Sequence, residues 1–386
     1  MGAASMITRR IFGIAAMTVA LGACQAIPRG RPVPAPLPLP TPVGPSDSVL
    51  PTDSARHRIA LLVPLTGENA AVGRSIANAA TMALIDTNAQ NLRITTYDTG
   101  TNAASAAATA IRDGNKLILG PLLREDVAPV MAQARAAKVP LVTFSNDATI
   151  AQPDVFVMGH VPEQSIERTV RYARAHAINR FAALVPNGDY GTRAAAALEQ
   201  SVRRAGGSMA GTERYDRGNT SIVSAANRLK AKGGFDAVLI ADSPRIAANG
   251  ATVLGSGTTR PKILGTELWS GETSLTTSVP LRGAWFSAVS DARYRQFVTS
   301  YQSRFGVQPY RVATLGYDAV LLTLRVAREW QPGRNFPISR IVADDGFLGL
   351  DGPFRFRASG LGERAMEVRS VGAGTVSIAE PAPTKF

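Results

Sequence analysis

One cysteine stands among 386 residues, at position 24. A single thiol forms no internal disulfide, so the fold rests on packing. Zinc sites built on cysteine pairs are excluded by count. Three histidines, His57, His160 and His176, are too few for a His-rich metal centre. No metal and no cofactor is expected. A phosphate-loop lysine motif and a Gly-x-Ser-x-Gly elbow are both missing. Gly255-Ser256-Gly257 lacks the strand–loop–helix setting and the spacing of a dinucleotide fingerprint. His160 has no visibly paired nucleophile and reads as a structural hydrogen-bonder. The chain is therefore expected not to be an enzyme. Like charges form no block of five or six, although the formal net charge is +13. Scattered arginine reads as solvated surface that meets anionic partners easily.

What is present begins with an export signal. Arg9 and Arg10 precede an apolar run of eleven residues, Ile11–Leu21. That run falls short of the ~20 residues needed to span a bilayer as a helix. Leu21-Gly22-Ala23-Cys24 resembles the bacterial lipobox, an aliphatic residue and two small ones before cysteine. The resemblance implies that residues 1–23 are a signal peptide and that Cys24 is lipidated. Acyl chains on Cys24 would anchor the protein stably, which makes the membrane its first partner. Gln25 follows, and by resemblance to the enterobacterial sorting rule the absence of Asp there implies the inner leaflet of the outer membrane. Export argues against nucleic acid as a partner despite the charge. Residues 24–56 are the lipidated cysteine and a proline-rich linker, PRGRPVPAPLPLPTPVGP at its centre. Such a segment is extended polyproline II, and about 30 residues reach up to about 90 Å.

From Arg58 strand and helix alternate. RIALLV (58–63) is a short continuous apolar run, as in a strand buried on both faces. Residues 70–86 carry apolar positions at helical spacing. The beat continues with strands near 92–97, 117–120, 140–144, 181–185, 208–213, 236–240 and 262–265, with helices between them. Alternation of this kind implies crossover units and parallel sheets. There are too many strands for one sheet, and a seam lies near 157–162. The fold class is α/β, with two doubly wound parallel-sheet lobes. After a strand at 284–289, two helices follow in succession, at 291–305 and 309–330. The segments PFRFRA and AMEVRSV then read as a hairpin.

The ordered motifs over 58–380 resemble type I periplasmic binding proteins of the leucine/isoleucine/valine-binding class. IALLVPLTGENAAVGRSIANAATMALID is similar to that family's first strand, loop and helix. LILGPLLRED and VPLVTFSND resemble its next strand–loop pairs. FAALVPNGDYG resembles the strand opening the second lobe, and FLGLDGPFRFRASGLGER its closing hairpin. The resemblance implies a body over 57–386 whose lobes are joined by three crossings with a cleft between. Lobe one is expected at 57–159 and 284–335, lobe two at 160–283 and 336–386. GPLLREDVAPVMAQARAAKVPLVTFSND and HVPEQSIERTVRYARAHAINRFAALVPNGDYG look like a subgroup of outer-membrane lipoproteins that activate penicillin-binding proteins and so stimulate peptidoglycan synthesis. Fuller members of that subgroup carry an additional N-terminal helical domain, where this chain has a short linker. The alternative is the substrate-binding lipoprotein of an ABC transporter for branched-chain or other small amino acids or amides.

Ligands of open α/β sheets sit beyond the carboxyl ends of the strands. In lobe one those loops offer Glu68, Leu123, Arg124, Ser145 and Asn146. In lobe two they offer Tyr190, Asp242, Glu267 and Trp269. By resemblance, Ser145 and the backbone around Leu123 hold a carboxylate, Tyr190 closes over the ligand and Glu267 meets its ammonium. Leu122-Leu123-Arg124 stands where the family has small hydroxyls, and Ala71 or Val72 where it has an aromatic. Both departures argue against amino-acid capture. Arg124 has two readings: a bidentate clamp for a larger anion, or a pair with Glu125, Asp126 or a facing acid. Trp269 reads equally as ligand wall or as core.

Overall fold

The protein is described from a computed structural model, over residues 55–383 apart from 219, 258 and 259. The signal segment, Cys24 and the linker up to residue 54 lie outside the described residues.

The first sheet collects β1 (His57–Val63), β2 (Leu92–Asp98), β3 (Leu117–Leu119), β4 (Leu141–Thr143) and β5 (Val155–Val157). Its order is β2-β1-β3-β4-β5, all parallel. Helices α1 (Ala70–Asp86), α2 (Ala103–Arg112) and α3 (Arg124–Ala134) make the crossovers. Ile59 to Val63 are all buried, because helices cover both faces of β1.

The chain then enters lobe two through α4 (Pro162–Ala175). There follow β6 (Arg180–Pro186), α5 (Asp189–Arg204), β7 (Ser208–Tyr215), α6 (Ser221–Lys232), β8 (Ala237–Ile240), α7 (Pro244–Gly255) and β9 (Lys262–Leu264). After the short α8 (Ser274–Thr277) comes β10 (Trp285–Ala288). Next come α9 (Tyr294–Phe305), α10 (Ala313–Ala327), the short α11 (Ile338–Ile341), β11 (Phe347–Gly349), β12 (Gly352–Phe356) and β13 (Gly362–Arg364). The last strands are β14 (Glu367–Val371) and β15 (Val376–Glu380). The second sheet has seven strands in the order β15-β14-β10-β9-β8-β6-β7. Its last two strands pair antiparallel.

Two expectations are corrected here. The expected lobe one includes residues 284–289 with the helices after them, yet β10 pairs with β9 and β14 inside the lobe-two sheet. The expected lobe two includes residues 336–386, yet Phe336, Ile341, Phe354 and Phe356 pack with β1, α1 and α10 in the lobe-one core. The second crossing therefore follows β10 and the third lies between β13 and β14. The expected single hairpin is really two. β12 pairs with β13 in a small three-stranded sheet, and β14 pairs with β15 in the large one. Period-two alternation marks a strand, but it does not name the partner.

Lobe one is closed by α10 lying against α1. The two helices approach closely at Gly316, where a Cβ would stand 2.4 Å from the Ile76 carbonyl oxygen.

Candidate functional site

The carboxyl ends of the two sheets face one another across the cleft. On the lobe-one side β4 runs into Phe144–Asp147. This turn is held from within. The Thr143 hydroxyl donates to the Pro121 carbonyl at 2.7 Å and accepts from Ser145 N–H at 3.2 Å. The Ser145 hydroxyl accepts from Asp147 N–H at 3.2 Å. Asp147 in turn caps the next turn, its Oδ1 accepting from Thr149 N–H at 2.9 Å. Asp147 is buried, and hydrogen bonds from Thr149 with the charges of Arg193 and Arg124 outweigh desolvation and lower its pKa.

On the lobe-two side Gly188 adopts φ +100°, in the region that favours glycine, and launches α5 at Asp189. Four residues on, Arg193 shares Asp189's helix face.

Two arginines now cross the cleft in opposite directions. Arg124 of lobe one reaches Asp147 at 2.7 Å and Asp189 of lobe two at 2.9 Å. Arg193 of lobe two donates to the Asn146 carbonyl at 2.5 Å and lies 3.8 Å from Asp147. It also forms a two-point pair with Glu163 at 2.9 and 3.1 Å. Asp147 thus serves both arginines, and the lips of the two lobes are joined by the chain's own charges. Of the two readings of Arg124, the structure favours the facing acid.

Deeper in lobe two, Tyr190 donates its hydroxyl to Glu267 Oε1 at 2.9 Å and meets the Thr266 hydroxyl at 2.9 Å. Glu267 is 8% exposed, and its other oxygen, Oε2, has no hydrogen-bond partner. Burial pushes its pKa up to about 7, against the Tyr190 hydrogen bond and Arg193. Burial and the neighbouring Glu267 raise Tyr190 as well. Folded Glu267 keeps its proton to about pH 7, whereas the unfolded carboxyl releases it near 4.5. Its contribution to stability is complete below that window and is lost as pH rises through it. Glu267→Gln should flatten this dependence, so its urea midpoint falls less between pH 4.5 and 7 than the parent's. An unchanged slope would contradict the buried carboxyl.

The remaining sequence candidates separate. Of the two readings of Trp269, the structure favours the core: it is fully buried in lobe two, and its indole N–H donates to the Asp242 carbonyl at 2.8 Å. The Asp242 carboxylate is likewise engaged inside lobe two, accepting from Tyr215 and Arg217, both at 2.9 Å. Neither is free to face a ligand. Glu68 and Leu123 line a separate groove confined to lobe one. Asn146 takes part through its carbonyl and Ser145 through the turn it braces. Sequence reasoning missed Asp147, Glu163 and Arg193. The Asp189/Arg193 spacing on one helix face was the signal available for Arg193.

Known proteins share this fold. Residues 57–374 match the family described as periplasmic binding protein. The leucine binding protein LivK of Thermotoga maritima shares the fold with a TM-score of 0.63 at 21% identity, over 84% of this chain and 98% of that one. An uncharacterized protein of Rickettsia prowazekii is 28% identical over 173 residues, 44% of this chain and 46% of that protein. The penicillin-binding protein activator LpoA of Serratia proteamaculans is 28% identical over 120 residues, 31% of this chain and 18% of that protein. The chain thus spans less than half the length of either curated relative. With two lobes, three crossings and a profile match over most of its length, the chain belongs to the periplasmic binding protein family.

Proposed function

We propose that this chain is a non-enzymatic, lipid-anchored protein of the periplasm that acts through its surface, as an activator of a penicillin-binding protein in peptidoglycan synthesis. The observation that carries the reading is the pair of arginines across the cleft. Arg124 and Arg193 join the lobes with Asp147, Asp189 and the Asn146 carbonyl, at the lips a receptor must part to admit its solute. Similarity to part of the Serratia activator supports the same direction. So does the net charge of +13, which suits an anionic envelope. Cys24 would carry the lipid, on the inner leaflet of the outer membrane. The proline-rich linker would hold the body away from it.

A second reading rests on Glu267. A buried carboxylate with one oxygen unpartnered, under a tyrosine, suits the ammonium of a small amino acid or amide. In that reading the chain is the substrate-binding lipoprotein of an ABC transporter.

The test is chemical crosslinking of the full chain in its own envelope. The expected result is recovery of a penicillin-binding protein, with Cys24→Ala moving the chain from the membrane to the soluble fraction and removing that crosslink. A clean negative, together with thermal stabilisation of several degrees by leucine, would establish the second reading instead.

A further inference from the structure

Lobe one holds a concavity that owes nothing to lobe two. It measures about 470 Å³, within the range of small-molecule sites, and every residue lining it lies between Pro64 and Pro129. It opens where the chain leaves β1 and β2 and where α3 begins. In a protein of net charge +13 its lining includes Glu68, Glu125 and Asp126 and no Lys, Arg or His. None of these three carboxylates has an ion pair or a side-chain hydrogen bond among the described residues. Asp98, close by, is the contrast. It is fully engaged, accepting from the backbone of Leu65, Thr66 and Gly100 and from the Thr66 hydroxyl.

First-turn acids offset a helix dipole, which gives Glu125 and Asp126 a structural use at the start of α3. That use does not extend to Glu68, which precedes α1, nor to Thr99. Thr99 lines the same groove, is 5% exposed, and its hydroxyl has no hydrogen-bond partner. A buried hydroxyl left unpaired carries a desolvation penalty that a ligand atom would relieve. Burial and the Glu125 charge raise the pKa of Asp126, consistent with a carboxylate lacking its counter-charge.

We propose that this groove is a binding site for a small primary amine bearing a second polar group. Its ammonium sits among Glu68, Glu125 and Asp126, and its polar neighbour meets the Thr99 hydroxyl. Because lobe two lines none of it, the site fills without any movement of the cleft.

Calorimetric titration of the full-length protein tests this with 4-amino-1-butanol, 1,4-butanediol and butylamine. The expected result is saturable binding of the amino alcohol, weaker binding of butylamine and none of the diol. Glu125→Gln with Asp126→Asn should weaken binding about tenfold or more, since hydrogen bonds to charged groups are lost. Thr99→Val, which preserves side-chain shape, should weaken it about fivefold and erase the preference over butylamine. Glu267→Gln should leave it unchanged. The proposal is overturned by absence of saturable amine binding, by equal binding of the diol, or by indifference to the lobe-one substitutions. Loss on Glu267→Gln would overturn it too, by placing the amine in the cleft.

Discussion

Asp351→Ala is expected to be the most damaging single substitution in the body, lowering stability by about 3–5 kcal/mol, as when one partner of a buried ion pair is removed. Asp351 is fully buried where the crossings between lobes meet. It accepts from Arg311 at 2.8 Å and from the Thr314 hydroxyl at 2.9 Å, and His160 Nε2 stands 2.9 Å away. Arg364 lies 3.9 Å off and donates to the Met158 carbonyl, which ties the first crossing to the third. Burial acts to raise the Asp351 pKa, but Arg311 and His160 outweigh it and hold the carboxyl well below its usual range. His160, desolvated, is pushed down to about 4 and is neutral at pH 7. Without Asp351, buried Arg364 keeps only Asp318, 3.8 Å away, and Arg311 keeps only Asp291, 3.6 Å away. The carboxyl of Asp318 is raised by burial and by Asp351. Urea unfolding at pH 7 measures the loss, with Thr314→Val as a mild comparison at about 1 kcal/mol. A loss for Asp351→Ala no larger than that of Thr314→Val would contradict the cluster's role. The stabilisation by Asp351 should fade as pH falls below the ordinary carboxylate range, because its folded pKa is depressed.

The second large effect is expected at the cleft. Arg124→Ala combined with Arg193→Ala should separate the lobes, with little change in unfolding midpoint. Both arginines share Asp147, so the two substitutions should couple rather than add. Arg193 should carry more of the effect. Its side chain is 14% exposed against 53% for Arg124, and exposed pairs are weakened by solvent and salt. Raising ionic strength should mimic the Arg124 substitution first. If the doubly substituted lobes stay together, the hinge cluster alone sets the interlobe angle.

Much of this was legible in the sequence. The apolar run of β1 and the helical spacing of α1 predict those elements to within a residue, because burial on both faces writes a distinctive pattern. The doubly wound class followed from alternation. The lobe boundaries after residue 283 did not. A strand such as Trp285–Ala288 carries no mark of which sheet it joins, and Phe354 and Phe356 carry none of which core they fill. Among site residues, Arg124 announced itself by replacing a small residue of the resembled pattern. Its partner Asp189 stands 65 residues away, and only the folded cleft brings them together. Trp269 stayed ambiguous because an indole suits a ligand wall and a core equally well, and the bond to the Asp242 carbonyl decides for the core.

The central claim is that the cleft is held shut by the chain's own charges and not by a captured solute. Spin labels at Gln133→Cys on α3 and Gln200→Cys on α5, both exposed positions, report the interlobe distance once Cys24 is replaced. The account predicts one narrow distance distribution without ligand, unchanged by leucine and broadened by Arg124→Ala with Arg193→Ala. A broad distribution in the unliganded protein that collapses to a shorter distance on adding leucine would contradict it.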